Sequence, residues 1–308
     1  MPLPVILDTD IGTDVDDLFA LALILASPEL DLVGVITVHA DVDFRAAMVL
    51  KFLETAGRPD IPVVAGYSRP INPSQPLVWA GHEGHGIDYS EIDLSRTASR
   101  DPLSFILSCM EKSPDSPPAI ISIGPLTNIG AFCRDHPHAA RALPALSCMG
   151  GNYMGLGARA ILAEHNFKLD PEAADYVMKS GATVRTIGLN ITRQTSLTRL
   201  QCQELIALET PMGKLLGQSG LHYMDCTGRD STPMHDSTAV AAAFQPELFT
   251  WVTARARVQT AGKEFGVVYY NGDIHPGDPT VQVAKEFQIS RFQNLFWQRI
   301  FSLAEQKH

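Results

Sequence analysis

Apolar and polar positions alternate in blocks along the first two hundred residues, and the blocks change period. Pro4 to Leu7 is a short apolar run that predicts a buried strand. Leu18 to Ala26 predicts a helix, stopped by Ser27-Pro28. Leu32 to Val38, rich in Val and Ile, predicts a second strand. Phe44 to Ala56 carries Ala46, Ala47, Leu50 and Leu53 at helical spacing, and Gly57 closes it. Further strands are predicted at Ile61 to Ala65, Ala119 to Ile123, Ala145 to Met149 and Thr183 to Gly188. Asp170-Pro171-Glu172 reads as a helix start with Asp170 as cap, and Gly181 ends that helix. Strands separated by helices imply an α/β fold. The expected architecture is an open, mostly parallel central sheet with helices on both faces and a site at the carboxyl ends of its strands.

The remainder is less regular. Leu197 to Gly220 suggests two helices around Pro211, and the irregular segment Leu197 to Pro233 is expected near the rim of the site. Ser237 to Phe244 suggests a short helix. Trp251 to Ala261 and Glu264 to Tyr270 suggest a hairpin, and Val281 to Ile289 a strand. Ser290 is the expected cap of a last helix that turns Phe292, Leu295, Phe296 and Ile300 inward. Gly66 to Ser99 is long and poorly patterned, as site loops often are. With no repeat or low-complexity linker, residues 1–308 read as one domain.

Composition narrows the partners. The 308 residues carry 34 acidic and 24 basic side chains, a formal net charge of −10, which disfavours nucleic acid. No stretch reaches the ~18 apolar residues of a membrane span. The start, Met-Pro-Leu-Pro-Val-Ile-Leu, lacks the basic region and long apolar run of a secretory signal. The five cysteines (Cys109, Cys133, Cys148, Cys202, Cys226) show no C-x-x-C spacing and read as reduced thiols. A cytoplasmic protein acting on a small molecule is expected, without nucleic acid or membrane partners.

The chemistry is concentrated in Asp8-Thr9-Asp10-Ile11-Gly12-Thr13-Asp14-Val15-Asp16-Asp17, where five of ten residues are carboxylates between an apolar strand and an apolar helix. One or two could cap the helix. Five so close repel one another unless a cation lies among them or some are protonated. Oxygen-only donors suit a hard ion, Ca²⁺ or Mg²⁺. An EF-hand loop would need Gly and Glu where Thr13 and Phe19 stand. A phosphatase of the Asp-x-Asp-x-Thr type, with Asp8 as nucleophile, meets Gly12 at its Thr position, and its helper lysine would have to be Lys51.

The stretch resembles the Asp-x-Asp-Pro-Gly-x-Asp-Asp signature of the inosine-uridine-preferring nucleoside hydrolase family. Ile11 replaces the proline, and two residues are added before the final pair, which falls on Asp16 and Asp17; the role of Asp14, inside the addition, stays open. Further stretches follow in matching order: Gly81-His82, Gly124-Pro125-Leu126-Thr127-Asn128, Glu164-His165-Asn166 before Asp170-Pro171-Glu172-Ala173-Ala174, His235-Asp236 before an Ala-rich helix, and Arg291-Phe292 near the end. Together they cover nearly the whole chain.

The resemblance implies Ca²⁺-dependent hydrolysis of the N-glycosidic bond of ribonucleosides, giving free base and ribose. It implies Ca²⁺ on Asp10, Asp17, Asp236 and the Thr127 carbonyl, with Asp10 as general base toward water. Asp16, Glu164 and Asn166 would bind ribose hydroxyls, and His82 would lie near the sugar. His235 and Tyr223 are the candidate acids for the leaving base. The family's usual Gly-Asn after the second strand is here His39-Ala40-Asp41, and Asp41 can accept from a hydroxyl but cannot donate. A sugar-contacting Asn falls on Ala158, with Arg159 beside it. With no phosphate loop and no run of Lys or Arg nearby, neutral nucleosides are the expected substrates. A homodimer or homotetramer is implied. A nucleoside- or sugar-binding protein with an inactive site is the alternative, and the metal-dependent phosphatase the lesser one.

Overall fold

A computed structural model describes residues 1–84, 89, 92–153 and 162–306. Strand β1 (Leu3–Thr9) leads into α1 (Asp16–Leu25), and β2 (Leu30–Thr37) into α2 (Val42–Thr55). Strand β3 (Val63–Ala65) is followed, after a long irregular segment, by α3 (Pro102–Lys112). Next come β4 (Ala119–Ser122), α4 (Thr127–Asp135), α5 (Pro137–Ala142) and β5 (Leu146–Met149). Helices α6 (His165–Leu169) and α7 (Pro171–Met178) precede β6 (Val184–Ile187) and α8 (Leu189–Thr192). Then follow β7 (Leu197–Thr198), α9 (Arg199–Ala207), α10 (Pro211–Thr227), β8 (Ser231–Thr232) and α11 (His235–Phe244). Strands β9 (Phe249–Val258), β10 (Val268–Asn271) and β11 (Val281–Phe287) lead to α12 (Ile289–Ala304).

The described residues form a nine-stranded sheet in the order β10-β9-β11-β6-β5-β4-β1-β2-β3. From β3 to β11 every pairing is parallel; β9 and β10 continue the edge antiparallel. A continuous apolar run is what a strand covered on both faces requires. In β1, Val5, Ile6 and Leu7 are all fully buried. Val5 and Leu7 join Val35, Ile121 and residues of α1, α11 and α12 in one apolar layer. Ile6 joins Ile36, Ile120, Ile129, Phe132 and Val177 in the other. The expected α/β sheet with helices on both faces is the one observed, and the hairpin of β9 and β10 follows the predicted alternation.

Two local readings differ. Ser290 does not cap the last helix: α12 starts one residue earlier and its N-cap, Gln288, makes no side-chain cap bond. Helix α3 was not among the expected elements, although Leu103, Ile106, Leu107 and Met110 stand at helical spacing. Asp101 starts it by accepting from the amides of Leu103 and Ser104, with Pro102 in the first turn. The short antiparallel pair β7·β8 brackets α9 and α10. No described helix is long and apolar enough to cross a membrane. The five cysteines are unpaired.

Candidate active site

The carboxyl ends of β1, β4 and β5 and the starts of α1, α6 and α11 surround an open cavity. Asp10, Asp16, Asp17 and Asp236 line it, and each is 5% exposed or less. Asp16 and Asp17 open α1 where a helix N-terminus favours negative charge, and Asp236 does the same on α11. The Asp236 amide donates to Asp16 Oδ2 at 3.3 Å, stitching the two helix starts together. The Thr9 hydroxyl donates to Asp17 and orients it. Gly124 leaves room for Asp10, because a Cβ there would stand 2.8 Å from Asp10 Oδ1.

The electrostatics of this cluster are one-sided. Burial, then the charges of Asp14 and Asp10, pushes Asp16 up to about 8. Burial with neighbouring carboxylates also holds Asp17 and Asp236 well above the usual carboxylate range. Oxygens of Asp16, Asp17 and Asp236 all lie within 4.8 Å of one another. Buried like charges at this spacing call for a cation or for protons. An all-oxygen donor set fits a hard divalent ion.

Asp8 stands apart from this group. Its side chain is fully buried and accepts from Ser122 Oγ at 2.8 Å and Asn128 Nδ2 at 2.7 Å. It does not line the cavity, so it braces β1 against β4 and α4 and is not placed to attack a substrate. Burial pushes it up to about 7 against the pull of those two donors.

Glu164, Asn166 and His235 do come to the cavity. Glu164 caps α6, taking the amides of Asn166 (2.8 Å), Phe167 (3.1 Å) and Gly151 (3.1 Å). Burial outweighs those amides and raises its pKa. Asn166 Nδ2 donates to the Ile123 carbonyl at 2.8 Å. His235 Nδ1 is 2.6 Å from Thr192 Oγ1. Burial lowers its pKa to about 4, against the opposing charge of Asp14, so the ring is neutral at pH 7.

Tyr223 and His82 line an adjoining, narrow and mostly apolar pocket with Ile11, Val15, Leu18 and Met48. Asp14 borders both spaces. The Tyr223 hydroxyl donates to Asp14 Oδ1 at 2.8 Å. His82 Nε2 meets the Thr13 carbonyl at 2.7 Å, and its ring faces Tyr223 edge-on at 5.9 Å.

Two expected site residues are elsewhere. Asp41 is exposed and caps α2, accepting from the Phe44 amide at 3.0 Å. Thr127 is the first residue of α4, where a backbone carbonyl is directed along the helix into its own ladder, and its hydroxyl holds Asp170 at 2.7 Å. The chain turns at Gly124-Pro125 before reaching it, so Ile123 forms that wall of the cavity and Thr127 does not. Ala158 and Arg159 lie outside the described residues.

Three residues were not legible beforehand. Lys168 and Arg193 line the cavity beside the acids, so cations are present there after all. Arg45 is fully buried behind the loop that carries Asp10. Its only sequence signal was a charge just before the apolar face Ala46 to Leu50.

Residues 5–294 match the inosine-uridine preferring nucleoside hydrolase family. The non-specific ribonucleoside hydrolase RihC of Salmonella agona is 33% identical over 299 residues, 94% of this chain and 95% of the relative. The pyrimidine-specific ribonucleoside hydrolase RihA of Enterobacter sp. is 31% identical over 272 residues, 85% of this chain and 86% of the relative. The solved plant nucleoside hydrolase PpNRh1 superposes with a TM-score of 0.83 at 27% identity, covering 98% of this chain and 100% of its own. The purine-preferring ribonucleoside hydrolase from Gardnerella vaginalis gives 0.82 at 27% identity, covering 98% and 99%. The match in sequence, in fold and in the carboxylates gathered at the strand ends place this chain in the inosine-uridine preferring nucleoside hydrolase family.

Proposed function

We propose that this protein hydrolyses the N-glycosidic bond of ribonucleosides to free base and ribose, with Ca²⁺ as its metal. The observation that carries the reading is the convergence of Asp10, Asp16, Asp17 and Asp236 in one cavity with Glu164, Asn166 and His235. Asp10, Asp17 and Asp236 would hold the ion, with the Ile123 wall replacing the expected Thr127, and Asp16, whose oxygen lies within 4.8 Å of those of Asp17 and Asp236, would border the ion from the ribose side. The ion supplies Lewis acidity toward water.

Asp10 accepts the proton of the attacking water. Asp16, Glu164 and Asn166 grip the ribose hydroxyls. The carboxylates disfavour an anionic leaving path and favour positive charge developing at C1′, so the site is complementary to an oxocarbenium-like transition state. His235, neutral at pH 7, is the candidate hydrogen-bond donor to a leaving base, and Tyr223, whose hydroxyl is held by Asp14, is the candidate from the adjoining pocket. RihA and RihC are named as pyrimidine-specific and non-specific enzymes, so either base class is a substrate candidate here. The same reading includes a homodimer or homotetramer in the cytoplasm.

Lys168 and Arg193 make nucleoside 5′-monophosphates the necessary comparison. Purine and pyrimidine nucleosides, their monophosphates and a phosphomonoester panel should be assayed together for ribose and for inorganic phosphate. Ribose from nucleosides without phosphate release supports the hydrolase. Phosphate release alone would support the phosphatase, and thermal stabilisation by nucleosides without turnover would support a binding protein.

A further inference from the structure

Between β1 and α1 the loop runs from Asp10 to Val15 with Gly12 and no proline, so little in the local sequence fixes its backbone. Asp10, at its head, must nevertheless face the cavity.

Arg45 occupies the space behind this loop and is the largest fully buried side chain among the described residues. Nη1 donates to the carbonyls of Asp10 and Ile11, the second at 2.8 Å. Nη2 donates to Thr13 Oγ1 at 3.0 Å, and Nε to the His39 carbonyl at 2.9 Å. These acceptors are all neutral, and three belong to the loop itself. A rigid planar fork with this many donors can fix several backbone groups at once, which a lysine cannot.

The guanidinium also faces the segment that borders the apolar pocket. Its central carbon is 5.2 Å from the centroid of the Trp79 ring. His39, tied to Arg45 through its carbonyl, places Nε2 3.1 Å from the Val78 carbonyl. Four residues on from Val78, His82 returns to the Thr13 carbonyl. The loop after β1, the turn after β2 and residues 78–82 thus meet around one side chain.

We propose that Arg45 is a positioning residue of this site. It sets the Asp10–Thr13 backbone so that the Asp10 carboxylate faces the cavity, and it docks residues 78–82 against the same loop. Arg45 lies behind the loop and acts through it. The catalytic consequence rests on the hydrolase reading; the structural one does not.

The test compares Arg45→Lys, Arg45→Met, Thr13→Val and Trp79→Leu with the wild type. It measures backbone hydrogen exchange in metal-free protein, Ca²⁺ titration by calorimetry, and ribonucleoside kinetics. Arg45→Met is expected to speed exchange in residues 10–14 and 78–83 while the rest of the sheet stays protected. It should weaken Ca²⁺ binding and lower kcat on the order of 10²-fold, the effect of misplacing a reacting group by about an ångström. Arg45→Lys should recover part of each loss. Thr13→Val should lower kcat, and Trp79→Leu should act mainly on exchange in 78–83 and on KM.

A uniform loss of protection with kcat unchanged would reduce Arg45 to core filling and overturn the proposal. If Arg45→Met does not fold, Thr13→Val and Trp79→Leu decide, and wild-type kinetics and exchange in both overturn it. If the wild type cleaves no ribonucleoside, the hydrolase reading fails while local exchange still decides the role of Arg45.

Discussion

The Tyr223 hydroxyl donates to Asp14 Oδ1 at 2.8 Å, joining α10 to the added residues of the β1–α1 loop. This bond gives the extra acid a partner and ties the wall of the apolar pocket to the carboxylate cavity. Removing it with Tyr223→Phe should lower kcat/KM about 5- to 10-fold, the size of one hydrogen bond of about 1 kcal/mol, without unfolding the protein. Asp14→Asn should retain more activity than Asp14→Ala, since the amide oxygen can still accept. Steady-state kinetics on one good nucleoside checks both.

His235 is neutral at pH 7, with its pKa lowered to about 4 by burial. The rate of the metal-loaded enzyme should therefore show no limb near the ordinary histidine range arising from this ring. His235→Ala should lower kcat about 5- to 10-fold, the size of one lost hydrogen bond of about 1 kcal/mol to the leaving base, and leave measurable turnover. A pH–rate profile of the wild type and the variant tests both statements.

Metal-free protein should lose stability as pH rises. Burial raises the folded-state pKa of Asp16 to about 8, far above its ordinary value. The native state then binds more protons than the unfolded chain between those limits. The contribution is present below the ordinary carboxylate range and is lost as pH climbs through about 8. Asp16→Asn should flatten the fall in Tm over that window when chelator is present. An unchanged slope would show that Asp16 is ionised in the empty site.

Thr127 and Asp41 should behave as structural residues. Thr127→Val removes the bond to Asp170 and should cost about 1 to 2 kcal/mol of stability, with Ca²⁺ affinity unchanged. Asp41→Asn preserves a good cap and should be silent, while Asp41→Ala should cost about 1 kcal/mol. Denaturant unfolding and Ca²⁺ titration on the same samples separate these effects from damage to the site.

What the sequence showed and hid follows from how each residue does its work. Asp10, Asp16 and Asp17 were legible because five acids between an apolar strand and an apolar helix conflict with one another. Asp41 is found capping α2, and its sequence signal was ambiguous because helix caps and sugar ligands draw on the same residue types. Thr127 was misread because a backbone carbonyl leaves no trace in side-chain identity; only the turn at Gly124-Pro125 shows that Ile123 faces the cavity. Arg45 was missed because a buried arginine and a surface arginine look alike until the acceptors around them are known. Lys168 and Arg193 reach the cavity from separate helical segments, so no local run announced them. The sheet was the easier part, since each parallel strand repeated the same buried pattern.

The most direct test of the central claim is ribose release from a panel of purine and pyrimidine ribonucleosides, before chelation, after it, and after Ca²⁺ is restored, with Asp236→Asn in parallel. The account predicts release by the wild type that stops with chelator and returns with Ca²⁺, and a loss of at least ~10³-fold in the variant, as removal of a metal ligand from a metal-assisted site would give. Release that persists through chelation, or that survives in Asp236→Asn, would contradict it.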